Sequence, residues 1–315
     1  METRADARVP PWARAWLGYA LGVLYCLLLA TVGRLQDHDV HPQHSALTAR
    51  GLWQDVQQGA LARPGPGPRG LRVAGGGDAN PLTFFWQAAL LTEEGRFFCG
   101  GSIIDEEWIL TSGQCLDPFP VFRVEVGSPK MSEGRADSHK QMFLTREKYT
   151  HPKYDMVYLD NDVGLLKLPS KIKFNVFISA VQLPTYSMAM EDLSGSVATV
   201  SGWGKTSDDS TISQILKYTD LTILSNKQCE AVYGNTVTST KLCLSSENGN
   251  SICQGDSGGA LVIEKKGGLP GEVVQIGISS FVSEEGCTVM MPQGFTRVSS
   301  YLEYIEKITG ITIED

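Results

Sequence analysis

From residue 73 onward, short apolar or alternating runs are separated by Gly, Pro, Asn and Asp. Examples are Thr83–Leu91, Val121–Val126, Val197–Val200, Ala260–Ile263 and Val273–Ile278. Runs of this length, rich in β-branched and aromatic residues and bounded by turn-formers, predict many short strands and hence a sandwich or barrels. The period changes at the end. Val298, Leu302, Ile305 and Ile308–Thr309 recur at helical spacing. Ser300 and Glu303 stand three apart as a capping box, and Gly310 is placed to stop the helix.

The other end of the chain follows neither pattern. Trp16 to Val32 is a 17-residue apolar run preceded by Arg4, Arg8 and Arg14 and followed by Asp37 and Asp39. A cleaved signal peptide has a positive start and an apolar core of about 7–15 residues. A spanning helix needs about 20, with about 17 as its lower bound. The run lies between, with Ala30-Thr31-Val32-Gly33 as its cleavage site in the first reading and a cytoplasmic N-terminus in the second. Both a signal peptide and a membrane anchor at 16–32 deliver the rest of the chain outside the cytosol. Cys26, inside the run, reads as an inert apolar filler.

Three regions follow: residues 1–33 as signal or anchor, 34–72 as a flexible pro-segment, and 73–315 as the globular domain. Pro64-Gly65-Pro66-Gly67-Pro68 supplies neither regular hydrogen bonding nor a core. Arg63, Arg69 and Arg72 offer exposed cut sites there. The charge divides between the regions. Residues 1–72 carry eight Arg against five acids, whereas residues 73–315 carry 19 Lys and Arg against 30 acids. An acidic domain lacks the basic footprint of nucleic-acid binding. Its acidity suits solubility first and basic partners second.

Six of the seven cysteines lie in the domain: Cys99, Cys115, Cys229, Cys243, Cys253 and Cys287. Six cysteines allow fifteen pairings, among which spacing does not choose. With no Cys-x-x-Cys and no nearby His pair, they read as disulfides of an oxidising compartment rather than as metal ligands.

Five motifs then occur in order: Arg72-Val73-Ala74-Gly75-Gly76, Phe98-Cys99-Gly100-Gly101-Ser102-Ile103-Ile104, Asp160-Asn161-Asp162-Val163-Gly164-Leu165-Leu166-Lys167-Leu168, Ser201-Gly202-Trp203-Gly204 and Gly255-Asp256-Ser257-Gly258-Gly259. Together they resemble the trypsin/chymotrypsin serine-protease family over roughly Val73 to Gly310. The stretches Ser280-Phe281 and Phe295-Thr296-Arg297-Val298 resemble its chymotrypsin-like, collagenolytic branch. The resemblance implies an all-β fold of two antiparallel six-stranded β-barrels with a C-terminal helix, joined near Pro184–Ser194, with the site in the cleft between them. It also implies the pairs Cys99–Cys115, Cys229–Cys243 and Cys253–Cys287.

One position departs from the family. Trp108-Ile109-Leu110-Thr111-Ser112-Gly113-Gln114-Cys115 carries Gln114 where the family has the general-base histidine. By resemblance Ser257 holds the nucleophile position, Asp162 that of the orienting carboxylate, and the backbone N–H groups of Gly255 and Ser257 the oxyanion hole. A carboxamide takes up no proton near neutral pH. Gln114 is expected to hydrogen-bond both Asp162 and Ser257, keeping geometry without chemistry. In that case Asp162 is a buried, hydrogen-bonded carboxylate and Ser257 an ordinary loop serine. Within the domain only His139 and His151 remain, and His151-Pro152-Lys153-Tyr154 resembles a structural segment of the family. His38, His41 and His44 lie in the pro-segment.

The same resemblance makes Arg72–Val73 the activation bond, cut by a trypsin-like protease, and pairs the new Val73 amino group with Asp256. Ser251 falls at the floor of the specificity pocket, Val282 where a glycine leaves its wall open, and Gln293 near its back wall. A small or partly closed apolar pocket is expected. The loop Gly127–Asp137, with Lys130 and Arg135 among its acids, is a poor cage for calcium, and no cofactor or metal is expected.

The sequence thus reads as a secreted or membrane-anchored protease homologue acting by binding a protein or peptide ligand, an active protease among the candidates. A working serine endopeptidase and an adhesive scaffold are the rivals. No cysteine lies between Gly33 and Val73, so no disulfide joins the pro-segment to the domain. Trypsin treatment of the full chain should leave a folded fragment beginning Val73-Ala74-Gly75-Gly76. Denaturing electrophoresis without reductant should separate it from the pro-segment. Degradation to small peptides, or bands that part only on reduction, would contradict this.

Overall fold

The computed structural model describes residues 76–80, 82–131, 139–246, 249–269 and 271–315. The apolar run at 16–32, the pro-segment, Arg72, Val73 and most of the loop proposed as a poor calcium cage lie outside them. No described helix is long and apolar enough to cross a membrane.

The predicted strands form, with boundaries trimmed to where ladders exist. In chain order they are β1 (Gly77–Asp78), β2 (Gln87–Leu91), β3 (Phe97–Asp105), β4 (Trp108–Thr111), β5 (Phe122–Val126), β6 (Gln141–Thr145), β7 (Lys148–Thr150) and β8 (Gly164–Lys167). They continue as β9 (Val197–Gly202), β10 (Lys217–Leu224), β11 (Lys241–Leu244), β12 (Ala260–Glu264), β13 (Val273–Phe281) and β14 (Gln293–Arg297). The first antiparallel sheet runs β6-β5-β2-β3-β4-β8-β7. The second runs β1-β10-β11-β14-β13-β12-β9, and a β9–β10 pairing closes six of its strands into a barrel. Between β8 and β9 the chain leaves one sheet for the other through a short 3-10 turn, Ser187–Met190, inside the expected join.

Each barrel has its own apolar filling. Leu90, Ile103, Ile109, Phe122, Val124 and Leu166 fill the first. Val200, Leu221, Leu242, Leu261, Ile276 and Phe295 fill the second. A third cluster, including Trp86, Trp108, Trp203, Ile278 and Ile305, lies between the sheets and the C-terminal helix. Strands at that junction are covered on both faces, so seven successive residues of β13 are buried. The outer strand β6 keeps the alternation of a sheet with one wet face, with Phe143 inward and Met142 and Leu144 outward.

Among the described residues three helices punctuate the sheets: α1 (Gly113–Leu116), α2 (Asn226–Tyr233) and α3 (Leu302–Thr309). The Ser300–Glu303 capping box does not form. A 3-10 turn at Val298–Tyr301 already has the chain helical at Ser300, so the boundary residue is Tyr301, which makes no side-chain cap. The capping box of this chain is Ser225–Gln228, at the start of α2. Gly310 stops α3 as expected, in the left-handed region at φ 76, with its N–H donating to Glu306 O at 2.8 Å. The three disulfides are the expected ones.

Ile305 is fully buried in the cluster that α3 shares with both sheets, whereas Leu144 is about half exposed on β6. Ile305→Ala should lower stability by about 2–5 kcal/mol through the cavity it leaves. Leu144→Ala should change it by no more than about 0.5 kcal/mol. Urea unfolding of the two variants, followed by tryptophan fluorescence, checks the contrast.

Candidate active site

Both barrels reach the Ser257 loop. The N–H of Gly100, on β3, donates to Ser257 O at 2.8 Å, and Thr111 Oγ1, at the end of β4, donates to Gly100 O at 2.8 Å. The Cys99–Cys115 disulfide clamps β3 to α1, the single turn that carries Gln114. From the second barrel, Gly258 N donates to Ser279 O and Ser279 N to Gly259 O. Asp162 lies just before β8, and Ser280 lies on β13 where a register shift breaks its pairing with β14.

These elements converge on the Asp162 carboxylate, which is fully buried. Gln114 N donates to Oδ1 at 2.8 Å, Gln114 Nε2 to Oδ2 at 2.8 Å, and Ser280 Oγ to Oδ2 at 2.6 Å. Burial pushes the Asp162 pKa up, and these hydrogen bonds oppose the rise. The second N–H of the Gln114 amide donates to Ser280 O at 2.7 Å. Among the described residues no hydrogen bond joins Gln114 to Ser257, where one was expected, neither from its N–H groups nor to its amide oxygen. A primary amide has two N–H donors, and two acceptors, Asp162 and the Ser280 carbonyl, take both. The amide keeps the carboxylate satisfied and is not coupled to the serine hydroxyl.

Neither remaining histidine replaces the base. His151 lies edge-on against Tyr301 and Tyr304, at 5.4 and 4.8 Å between ring centroids, and its Nδ1 accepts from Lys153 N. Partial burial, and then the Lys153 charge, lower its pKa. His139 stacks on Phe177. Gly113 leaves no slack in the turn that carries Gln114. A Cβ there would come within 3.1 Å of the Tyr154 ring and 3.3 Å of Thr150 Cγ2, so the tyrosine occupies the space and the turn is packed.

The two residues expected to supply oxyanion donors, Gly255 and Ser257, lie on one loop. Gly255 has φ +100, a conformation natural to glycine. Among the described residues neither Gly255 N nor Ser257 N donates to a protein acceptor, which leaves two backbone donors beside the Ser257 side chain. Between them Asp256 is turned inward and buried. Its carboxylate accepts from Gly204 N at 2.8 Å and Cys253 N at 2.9 Å. This accounts for the glycines of Ser201-Gly202-Trp203-Gly204. A Cβ on Gly202 would lie 2.1 Å from Asp256 Oδ1, and one on Gly204 2.4 Å from its Cγ.

The pocket residues gather around β14. The sequence reading places Gln293 near the back wall of the pocket. It is buried on β14, its Oε1 accepts from Ile252 N at 2.7 Å, and its Nε2 donates to Ser245 O at 3.2 Å and Asn250 O at 3.3 Å. The amide thus crosses between the strand and the segment carrying Ser251, itself buried with its hydroxyl on Ile252 O. Val282 is half-buried against the second barrel's core. The Phe281 ring fills the space where Gly294 has no side chain.

Sequence reasoning missed two participants. Ser280 enters the sequence reading only within a stretch that resembles one branch of the family, yet it supplies a hydroxyl to Asp162 and a carbonyl to Gln114. Lys241 carried no motif. It is a buried lysine whose Nζ binds Asp160 Oδ1 at 2.8 Å, Tyr158 O at 2.9 Å and Thr236 O at 2.8 Å, 5.9 Å from the Phe281 ring centroid. It fixes the base of the loop before Asp162, where Leu159 and Asn161 hold positive φ and whose tip, Met156, Val157 and Tyr158, is exposed. Asp208 lies close to Cys253 and Cys287, but those sulfurs are bonded to each other and Asp208 accepts from Cys287 N and Thr288 N.

Known proteins match this arrangement. The sequence pattern of the Trypsin family fits residues 73–305. The chain belongs to the trypsin family. Brachyurin from Leptuca pugilator is 36% identical over 242 residues, covering 76% of this chain and all of that protein. Collagenase from Hypoderma lineatum is 35% identical over 245 residues, covering 76% and 88%. Chymotrypsin from Phaedon cochleariae is 34% identical over 239 residues, covering 75% and 82%. A solved structure of HL collagenase superposes with a TM-score of 0.66 at 33% identity, covering 76% of this chain and 99% of that one. These relatives place the domain in the chymotrypsin-like branch. Three disulfides in a trypsin-family domain mark a protein made for an oxidising, extracytosolic compartment.

Asp256 gives this domain a pH signature. Burial raises its pKa from 3.8 to about 7, and among the described residues no cation faces it. The folded state therefore holds the Asp256 proton more tightly than the unfolded chain does. Its contribution is fully present below about pH 4 and is lost as pH rises to about 7, a difference on the order of 4 kcal/mol. The uncut chain should lose urea stability across that window, and Asp256→Asn should flatten the slope. Equal slopes for the two proteins would refute the assignment.

Proposed function

We propose that this trypsin-family domain is catalytically silent and works by binding, as a cofactor, decoy or regulator of proteolysis outside the cytosol. The observation that carries the reading is the Gln114 amide. Both its N–H groups are engaged by Asp162 and Ser280 O, and among the described residues no group able to accept a proton is hydrogen-bonded to Ser257. Acyl transfer needs a base within reach of the serine hydroxyl. Loss of the triad histidine costs on the order of 10⁶ in turnover, and the oxyanion donors alone leave about 10³–10⁴ over water. What survives is a cleft with its backbone donors, its carboxylate and a partly closed pocket, which suits a protein or peptide ligand, an active protease included. In this reading residues 1–33 deliver the chain to the cell surface or to secretion. A trypsin-like protease cuts at Arg72, and the Val73 amino group then pairs with Asp256.

The chain cut at Arg72 should cleave peptides no faster than background and should not be labelled by organophosphate-type serine probes. Stoichiometric labelling of Ser257 would make it a working endopeptidase instead. Gln114→His should restore measurable hydrolysis, well below that of an ordinary enzyme, with no preference for Lys or Arg because Ser251 brings no charge. Val282→Gly added to Gln114→His should extend cleavage toward larger apolar side chains. A substrate panel on the cut, folded variants reads both effects, and a preference for Arg would show that the pocket is misassigned.

A further inference from the structure

A second concavity lies apart from the Gln114–Asp162–Ser257 cleft. It is a groove of about 610 Å³ formed by the outer faces of β9, β10 and β12 and by the segment leading into β2. Its lining combines Leu82, Phe85, Val197 and Tyr218 with two acids, Asp220 and Glu264. Leu82 and Val197 are more than half exposed, so this apolar surface is uncovered. The acids are uncompensated among the described residues. Asp220 accepts from the Thr199 hydroxyl, Glu264 has no ion pair, and the nearby Lys266 is already held by Glu191 at 2.7 Å. The indole N–H of Trp86, in the same wall, is buried with no hydrogen-bond partner.

The described chain begins beside Tyr218, one of the residues that line this groove. Gly77 pairs with Tyr218 and Asp78 with Lys217, antiparallel, so the described chain starts at Gly76 on the side of this pairing that faces Thr219 and Asp220. Arg72 is four residues from Gly76, at most about 14 Å away. The segment ending there, Arg63-Pro64-Gly65-Pro66-Gly67-Pro68-Arg69-Gly70-Leu71-Arg72, has three cations and no acid. Its composition favours polyproline II, which has three residues per turn and about 3.1 Å rise. That period places Arg63, Pro66, Arg69 and Arg72 along one edge. Proline-rich strands dock in aromatic-lined grooves because they lose little entropy on binding.

We propose that this groove holds the chain's own Arg63–Arg72 segment as a polyproline II strand. Its prolines and Leu71 cover the apolar floor, and its arginines pair with Asp220 and Glu264. The strand keeps the pro-segment on the domain after cleavage at Arg72 in place of a disulfide tether. The proposal is independent of whether Gln114 has silenced the cleft.

The test cuts the full chain with trypsin and passes it through gel filtration under native conditions, with mass spectrometry of each peak. The pro-segment fragment ending at Arg69 or Arg72 should co-elute with the fragment beginning at Val73. Asp220→Asn with Glu264→Gln should lower the retained fraction by about threefold to tenfold. Arg63→Glu with Arg69→Glu should do the same, and that variant leaves the folded domain untouched, so a folding defect in the first does not decide the matter. Release from the unaltered chain overturns the proposal, as does retention that survives either pair of substitutions. A concentration-dependent doubling of mass abolished by the groove substitutions would assign the groove to a second copy and overturn it as well.

Discussion

A carboxylate buried between two barrels has to be surrounded by donors, and at Asp162 the donors come from both. Gln114 supplies two from the first barrel, and Ser280 supplies one from the second. Thr296, on β14, closes the arrangement by donating to the Asp162 backbone carbonyl at 2.8 Å. An unpaired buried charge is among the costliest defects a fold can carry. The residue at position 114 therefore has a structural duty that is separable from proton transfer. A carboxamide meets that duty, since its N–H reaches the carboxylate as an imidazole N–H would. It fails only the chemical one. This explains how the cleft keeps its shape without a base, and why glutamine is a tolerable occupant where an aliphatic residue would leave Asp162 short of a partner.

The barrels were legible because their information is local. Alternation and turn residues mark β2, β5, β9, β12 and β13, and helical spacing marks α3. The family resemblance that the motifs carry then implies barrels over sandwiches and one disulfide pairing out of fifteen. Boundaries were less legible. Thr83–Leu91 reads as one strand, but Thr83–Trp86 turns across the second barrel before the ladder begins at Gln87. The capping box at Ser300 failed for a similar reason: a 3-10 turn upstream decides where a helix starts, and nothing in the pattern of Ser300 and Glu303 reports it.

Around the site, what sequence missed was long-range. The glycines of Ser201-Gly202-Trp203-Gly204 are readable as a motif, but their reason, the Asp256 carboxylate 52 residues beyond Gly204, exists only in three dimensions. Gln114 has two possible donors and many possible acceptors, and which pair it takes depends on where β13 places the Ser280 carbonyl. Gly113 looks like freedom in one dimension and is occupied space in three. Gln293 reads as a pocket residue, but its three backbone partners are visible only in three dimensions. In each case the residue type was informative and the partner was not.

Lys241 bears on recognition rather than on chemistry. A lysine ammonium buried with three oxygen partners holds the carbonyl of Tyr158 and the carboxylate of Asp160 in fixed positions. The hairpin between Asp155 and Asp160 is closed at its neck by a further backbone pairing. Its apolar tip, Met156, Val157 and Tyr158, is thereby displayed by a braced frame. The conformational entropy of ordering that tip is lost during folding, before any partner arrives. A surface ordered in advance binds more tightly for the same contact area than one that must stiffen on contact.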